Sequence, residues 1–239
     1  NTIGLLGAPR SRGVWLQGTT FSTVGGGAGN TIGDTTTGIL IEGGADARVL
    51  GNRVGVDASG ATAHPNQVGL EVRGATRVTI EDNQVAGNLT VGVLTDGVSV
   101  EVLRNRIGTT AAGDAPIPNG VGVQIARGFA SIAGNTIAFN SGRGVDISAG
   151  ARAAGVANSI FGNALIGIDN RDNLPAAPAV TGVFRPSTTG ATTRTWVVVA
   201  GLPTTGSGRV ELFGNDNCSG APQGRVVLVA LGALDAGRG

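Results

Sequence analysis

The sequence predicts an all-β solenoid of about seven coils with three strands each, and two repeated signatures support this fold class. The first signature is an Asn followed two residues later by Ile or Val, and its copies are separated by 29, 22, 31, 22, 30 and 23 residues. The second signature is a Gly that opens an alternating run 13 to 17 residues before the Asn. Periods of this size are typical of stacked repeats. The Asn copies are Asn1, Asn30, Asn52, Asn83, Asn105, Asn135 and Asn158.

The Gly signature marks the first strand of each coil. Runs such as Gly38-Ile-Leu-Ile-Glu alternate with a period of two, as strands with one buried face do. Ile39 and Ile41 should therefore point inward, whereas Leu40 and its equivalents should face solvent. The expected outward column consists of Trp15, Leu40, Glu71, Leu94, Gln124, Asp146 and Asp169.

The second and third strands lie on either side of the Asn signature. An apolar pair such as Val78 and Ile80 stands five and three residues before Asn83 and predicts the second strand. The Ile or Val two residues after the Asn predicts the third. Since each coil then contributes one strand to each of three faces, the stacked coils form a parallel β-helix.

The repeated Asn is expected at the turn between the second and third strands. Its side chain can bond nearby backbone, and Asn tolerates left-handed dihedral angles. Side chains at the same place in every coil should form a structural amide ladder. The expected ladder consists of Asn30, Asn52, Asn83, Asn105, Asn135 and Asn158, and the short coils carry another Asn five residues later, at Asn88, Asn140 and Asn163.

Two coils carry a long loop between the Asn signature and the next Gly marker. The step is 17 residues from Asn52 to Gly69 and from Asn105 to Gly122, against 8 or 9 in most other coils. The strands repeat as a pair every 52 or 53 residues, so both loops should project from the same edge. Extra length at a repeated edge is where solenoids most often place recognition. His64 lies in the first loop and is expected to be exposed rather than catalytic.

Composition excludes several classes of protein. A net charge of +1 gives no general attraction to nucleic acid or to an anionic membrane. No segment reaches the roughly 18 apolar residues of a membrane span, and the single Cys218 excludes an internal disulfide framework. Because the first residue already belongs to a repeat, we expect the chain to be part of a larger protein.

Several stretches resemble a known group of proteins. They are AGNTIGDTTTG, GNRVGVDASGATAHPN, RNRIGTTAAGDAPIPN and GNTIAFNSGRGVDI. The resemblance is to right-handed parallel β-helix repeat proteins of the pectate-lyase-like superfold, especially large bacterial surface or secreted proteins, and it covers residues 1–174. It implies a right-handed helix and a secreted or cell-surface location. Because the superfold contains lyases, hydrolases, epimerases and adhesins, the resemblance implies no single activity.

The repeat stops after Asn173. Residues 175–239 are expected to form a linker and a truncated β-sandwich-like module, with strands in TWVVVAGLP, GRVELFGNDNCSG and GRVVLVALG. The stretch from Val210 to Cys218 resembles the start of the small module that follows the β-helix in such bacterial proteins. The predicted domains are therefore a β-helix at residues 1–174 and a partial antiparallel module at residues 175–239.

Two acids on neighbouring coils are the candidate catalytic residues. Asp146 and Asp169 could share a proton, hold a metal, or divide acid and base roles as in glycoside hydrolysis. Arg143 and Arg171 could instead neutralise them. Asp169 with Asp172 is also a weak candidate for Ca²⁺, which takes oxygen ligands, and no other cofactor is expected. The candidate ligand contacts are Trp15, Glu71, Gln124, Asp146, Asp169 and His64.

The sequence lacks the catalytic elements of the enzyme families on this superfold. It has no Arg-x-Pro-x-x-Arg, no Gly-His-Gly and no Tyr. The first hypothesis is therefore a non-catalytic extracellular module, structural, adhesive or glycan-binding, with a polysaccharide or a surface protein as its partner. The alternative is a polysaccharide lyase or glycoside hydrolase that uses the face with Asp146 and Asp169.

Overall fold

The computed structural model describes residues 1–4, 10–171, 179–184, 196–200, 210–214 and 226–231, and every regular element in these ranges is a β-strand. Up to residue 171 the chain winds through three faces, and equivalent strands of successive coils pair in parallel. The predicted all-β class and the parallel β-helix are therefore confirmed.

Three sheets run along the helix, and each is named here for its place in the coil. Sheet I, after the Gly markers, contains Arg10–Gln17, Thr35–Glu42, Val68–Arg73, Val91–Leu103, Val121–Ala133, Val145–Ile147 and Ile168–Asn170. Sheet II contains Thr23–Gly25, Arg48–Leu50, Thr76–Glu81, the second halves of Val91–Leu103 and Val121–Ala133, and Arg152–Val156. Sheet III, after the Asn turns, contains Thr2–Ile3, Thr31–Ile32, Arg53–Val54, Gln84–Val85, Arg106–Ile107, Thr136–Ala138 and Ser159–Phe161.

Sheets I and II join in the middle of the helix. Two 13-residue strands, Val91–Leu103 and Val121–Ala133, run through both sheets without a break. Their mutual register shifts between Thr95 and Asp96 and again between Gly97 and Ser99. Such irregularities bend a strand, so they allow one strand to follow the corner that other coils make with a turn.

The core is a set of aliphatic columns, and every sheet contributes at least one of them. The residues in these columns are at most 6% exposed: Ile39, Leu70, Val93, Val123 and Val145 in sheet I, Val49, Ile80, Val102 and Ile132 in sheet II, and Ile32, Val54, Val85, Ile107, Ile137 and Ile160 in sheet III. The predicted inward positions are confirmed. Branched side chains suit such pleated, packed surfaces, and each coil covers the faces that a single coil would leave open.

The Asn turns use a left-handed residue, but it is not the Asn. The residue directly before each ladder Asn has a positive φ: 69° at Gly51, 53° at Asp82, 52° at Arg104 and 67° at Gly134. The expectation that Asn suits the turn through its own left-handed tolerance is therefore wrong. The preceding residue makes the corner, and the Asn is needed for the hydrogen bonds of its side chain.

Each interior ladder amide uses its full hydrogen-bonding capacity. Asn105 Nδ2 donates to Asn135 Oδ1 at 3.0 Å and to the Ile80 carbonyl at 2.9 Å. Its Oδ1 accepts from Asn83 Nδ2 at 3.0 Å and from the Asn83 backbone N–H at 2.9 Å. The side chain therefore connects three successive coils, and only a carboxamide offers two donors and a double acceptor in this arrangement.

A second amide ladder runs along the edge between sheets III and I. It links Asn66, Asn88, Asn119, Asn140 and Asn163 through Nδ2 to Oδ1 bonds of 2.9, 2.9, 3.0 and 2.8 Å. Asn88, Asn140 and Asn163 are visible in the sequence at a fixed offset of five residues. Asn66 and Asn119 do not have this offset, because the long loops place them 14 residues after Asn52 and Asn105 of the first ladder. Their sequence signal is the Pro-Asn pair that ends each long loop.

The Gly markers are explained by this second ladder. A Cβ on Gly92 would lie 2.7 Å from the Gly122 carbonyl oxygen and 2.9 Å from Asn119 Nδ2. Gly69 and Gly144 are crowded in the same way by the next marker and by the next ladder amide. The Gly marker and the second Asn of each coil are therefore two parts of one close contact between coils.

The C-terminal strands form two small sheets. Ala179–Phe184 pairs in antiparallel fashion with Trp196–Ala200, and Val210–Gly214 pairs with Val226–Leu231. The last three strands lie where the sequence predicts them, whereas Ala179–Phe184 begins within the Pro- and Ala-rich stretch that favours a linker. Cys218 lies outside the described residues, and the domain boundary at residue 174 stays a prediction.

Replacing a ladder amide in the middle of the helix should be costly. Asn105→Ala leaves the buried Asn83 N–H and one Asn83 Nδ2 proton without an acceptor, so we expect the free energy of unfolding to fall by about 3 kcal/mol. Urea unfolding followed by circular dichroism measures the change. Asn1→Ala is the matched control, because Asn1 donates from the exposed end of the same ladder and should cost less than about 0.5 kcal/mol. Equal losses in the two variants would contradict the ladder's role.

Candidate functional site

The two candidate catalytic acids are register neighbours, but each is bound by an Arg. Asp146 pairs with Asp169 across sheet I. Arg171 donates hydrogen bonds to both carboxylate oxygens of Asp146, at 2.9 and 2.6 Å. Arg143 Nε lies 2.5 Å from Asp169 Oδ2. The hydrogen bond to Asp146, and then its charge, raises the pKa of Arg171. The arrangement is thus a pair of ion pairs, in which both oxygens of Asp146 already have a partner.

The outer face of sheet I is more covered than alternation predicts. Leu40, Glu71 and Asp146 are 1%, 5% and 2% exposed, so the expectation that they face solvent is wrong. Alternation identifies the side of a sheet on which a residue stands, but it cannot tell whether other atoms cover that side. Glu71 in addition accepts a 2.5 Å bond from Arg73 on its own strand. Leu40, Glu71 and Asp146 are therefore covered, whereas Trp15 on the same face is exposed.

Trp15 and Gln124 stand on the same face at separate places. Trp15 is 44% exposed, its Nε1 donates to Glu42 at 3.2 Å, and the Arg12 guanidinium lies 4.4 Å from its ring centroid. Gln124 is half-buried beside Asp146. Trp15 is five strands away from Asp146, or about 24 Å at the usual strand spacing. The structure thus brings Gln124, Asp146 and Asp169 together and leaves Trp15 apart.

His64 connects the first long loop to the preceding coil. Its Nδ1 lies 3.0 Å from Asp34 Oδ2, and its carbonyl accepts from the Asp34 backbone N–H at 3.4 Å. The imidazole is about one-third exposed. His64 therefore has a structural contact that accounts for its position.

The two long loops fold over the same edge of the helix and are joined through the coil between them. Each closes on itself as a small hairpin, with bridges Val56 to Ala63 and Thr109 to Pro116. Gln84, which is 5% exposed, donates from Nε2 to the carbonyl of Gly60 at 2.7 Å and to that of Thr109 at 3.1 Å.

A small apolar cluster lies beneath the two loops. It consists of Val56 from the first loop, Ile117 from the second and Ala86 from the coil between them. Because all three side chains are at most 6% exposed, the loops are fixed to the helix by buried contacts. They form a rigid edge along sheet III.

A groove of about 660 Å³ lies over the outer face of sheet III, between the corner with sheet II and the second long loop. Its floor includes Arg53, Gln84 and Arg106, which are consecutive partners in the strand register. Its rim includes the left-handed turn residue Arg104 and Ala111 of the second long loop. The volume is within the range of ligand sites in proteins. The groove contains Asn52 and Asn83 of the predicted structural ladder but none of the predicted catalytic or ligand-contacting residues, so sequence reasoning missed it as a site.

The cationic side chains of the groove differ in their partners. Arg104 is bound to Asp82 at 3.2 Å and also to Glu81. Arg106 donates from Nη1 to Thr136 Oγ1 at 3.3 Å. Within the described part of the chain, no carboxylate lies within ion-pair distance of Arg53 or Arg106. The groove therefore presents two half-buried guanidinium groups without acidic partners.

A sequence signal for this groove exists. The residue after each first-ladder Asn is Thr, Thr, Arg, Gln, Arg, Thr and Ser in chain order. Arg occurs at this position only in the two coils that carry a long loop. A long loop together with an Asn-Arg pair predicts a row of cations on the helix. The prediction requires the strand register, because only the register places Arg53 and Arg106 on the same line.

The stacked sheets and Asn turns define a right-handed parallel β-helix protein. The chain belongs to the family described as "Periplasmic copper-binding protein (NosD)", whose model matches residues 2–174. The family description places the chain outside the cytoplasm, in agreement with the expected secreted or cell-surface location. Searches of curated proteins and of solved structures found no match.

The described residues do not fit the copper site that the family description names. Copper in proteins prefers imidazole, thiolate and thioether ligands, and the chain has one His, one Cys and no Met. His64 bonds to Asp34, and Cys218 lies outside the described residues. Across residues 1–4 and 10–171 and the four C-terminal strands, no three His, Cys, Asp or Glu side chains cluster as metal ligands would. The described residues therefore provide no ligand set for copper.

The calcium candidate involves one acid that has an Arg partner and one that lies outside the described residues. Asp169 is bound by Arg143, and Asp172 lies outside the described residues. Calcium binding at these acids stays a prediction. No helix long and apolar enough to cross a membrane occurs in the described ranges.

Breaking the Arg171 pair should destabilise the last coils, because Asp146 would remain as a buried charge without its counter-ion. We expect Arg171→Met to lower the midpoint of urea unfolding. The double variant Arg171→Met, Asp146→Asn should recover part of the loss, since it removes the charge as well. If the double variant were less stable than the single one, the pairing would not explain the burial of Asp146.

The first long loop should loosen in acid. Asp57 Oδ1 accepts from Ser59 Oγ at 2.6 Å and from the backbone N–H groups of Ala61 and Thr62 at 3.2 and 3.3 Å. These bonds, the Ser59 bond first, lower the pKa of Asp57 from 3.8 to about 2. A lowered pKa means that the stabilisation is complete above pH 3.8 and disappears as the pH falls through about 2.

This pH dependence can be measured at the residue. The carboxyl carbon shift of Asp57 in an NMR titration should have its midpoint near pH 2, with the Thr62 amide shift following the same curve. Asp57→Asn should remove the Thr62 titration. A midpoint near 3.8 would show that the loop bonds are not formed in solution.

Proposed function

We propose that this chain is a non-catalytic β-helix module that acts outside the cytoplasm as a structural, adhesive or glycan-binding scaffold. The observation that carries the proposal is the occupation of both candidate catalytic carboxylates by guanidinium groups, with Asp146 also buried. A general acid or base must reach the proton that it transfers. An Arg-bound, buried carboxylate is poorly suited to that role.

The rest of the molecule supports a scaffold. Two amide ladders and an aliphatic core connect each coil to its neighbours, so the strands and loops keep fixed relative positions along the axis. The family's periplasmic description supports work outside the cytoplasm. A rigid rod with fixed loops at one edge suits recognition of an extended partner, either a polysaccharide or a surface protein.

A polysaccharide lyase or glycoside hydrolase is the second candidate. The observation that favours it is the register pairing of Asp146 with Asp169, since glycosidases place two carboxyl groups on either side of the scissile bond. The side chain of Asp169 is 28% exposed and is thus the more accessible of the two. An enzyme would have to move both Arg side chains before these acids could work.

A panel of polysaccharides distinguishes the two candidates. The purified chain should release neither reducing ends nor unsaturated products from pectate, alginate, chondroitin sulfate, xylan or dextran during long incubation. The single variants Asp146→Asn and Asp169→Asn serve as controls for contaminating activity. Turnover by the unaltered chain that both variants abolish would overturn the non-catalytic proposal.

A further inference from the structure

The groove over sheet III has the features of a binding site for an anionic chain. Arg53 and Arg106 stand on its floor, separated in the register by Gln84 alone. Parallel strands are about 4.8 Å apart, so the two Cα atoms are separated by about 10 Å along the helix axis. Two cations at a fixed axial spacing match a ligand with anionic groups at a regular repeat.

The two long coils repeat the Arg together with the loop beside it. Arg53 is followed by the first long loop and Arg106 by the second, and Gly113 of the second loop lies close to the Arg106 side chain. Gln84 joins the two loops from the coil between. The strand register fixes the spacing of the Arg53 and Arg106 backbones, and such preorganisation lowers the entropy lost when a ligand contacts both side chains.

We infer that this groove binds an extended acidic polysaccharide, with Arg53 and Arg106 each contacting one anionic group of the sugar chain. The inference rests on the proposed glycan-binding role and assigns it a site. In an extended β-1,4-linked chain, alternate sugars present their substituents on the same side, and this two-sugar repeat is close in length to two coils. Guanidinium groups bind planar carboxylates in bidentate fashion and also bind sulfates.

The composition of the groove favours a glycan over a nucleic acid. Single-stranded nucleic acid binds to aromatic side chains that stack on its bases, and the residues that line this groove include no aromatic side chain. The lining consists instead of Gly, Ala, Asn, Gln, Arg and Asp. Guanidinium groups can bond to sugar hydroxyls as well as to anionic groups.

Titration calorimetry with defined oligosaccharides tests the site. The probes are all β-1,4-linked: an oligomannuronate, which carries carboxylates, a sulfated cello-oligosaccharide, which carries sulfates, and neutral cello-oligosaccharides. We expect binding of the acidic probes and none of the neutral ones. Preference for carboxylates would identify a uronate ligand, and preference for sulfates a sulfated glycan. Binding should weaken as salt increases, because exposed charges are screened.

Variants locate the binding. Arg53→Gln and Arg106→Gln should each weaken the affinity by about tenfold, the effect of one charge-assisted contact, and the double variant should bind no more than neutral probes do. Arg152→Gln is the matched control, since it removes one exposed positive charge on sheet II and should bind as the unaltered chain does. Thermal unfolding should show an intact fold in each variant, because neither Arg53 nor Arg106 has an acidic partner to lose among the described residues.

The possible failures are distinct. Equal binding by the double variant and the unaltered chain would overturn this site while leaving glycan binding elsewhere on the molecule. Absence of binding to every acidic probe would also overturn it, whereas the structural role would stand. Cleavage of a bound probe would overturn the non-catalytic function, and the Arg variants would then show separately whether the groove holds the substrate.

Discussion

The side-chain amide of the repeated Asn is the interaction on which the rest of this structure depends. The chain must turn a corner between sheets II and III in every coil, and this corner is made by a left-handed residue. Without the Asn side chain that follows it, buried backbone groups would remain unpaired. The Asn amide accepts the backbone N–H of the coil before it and donates to a carbonyl of that coil and to the amide of the coil after it. Buried polar groups are tolerated only when they are hydrogen-bonded. The bonds of the Asn amide therefore determine both the corner of each coil and its register with the neighbouring coils.

The second ladder links successive coils in the same way at the edge between sheets III and I. Because its amides lie against the Gly markers, the edge between sheets III and I has no space for a Cβ at those positions. The long loops leave this ladder uninterrupted, since Asn66 and Asn119 return the chain to it. Nine additional residues can therefore be placed between sheets III and I of a coil without changing the stack above or below it.

Much of the fold could be predicted from the sequence because its determinants are periodic. Ile39 and Ile41 are inward by alternation alone, and the first ladder is visible in the spacing of its Asn residues. Alternation failed for Leu40 and Asp146, whose burial depends on atoms that are distant in the sequence. The column of strand residues predicted that Asp146 and Asp169 are neighbours. It could not predict that Arg171 and Arg143 neutralise them, because these Arg residues lie outside the alternating runs. The groove was missed for a related reason: Arg53 and Arg106 are unremarkable in isolation and become a pair only through the register.

The unit that carries the groove is two coils long, with one Arg, one long loop and both ladder positions in about 53 residues. Such a unit can be copied without disturbing its neighbours, because every coil presents the same hydrogen-bonding edge above and below. A further copy of this unit would add one guanidinium group in line with Arg53 and Arg106 and would lengthen their row by a constant increment. The number of Arg contacts to a polymer would thus grow with the number of copies of the unit, without any new arrangement of side chains.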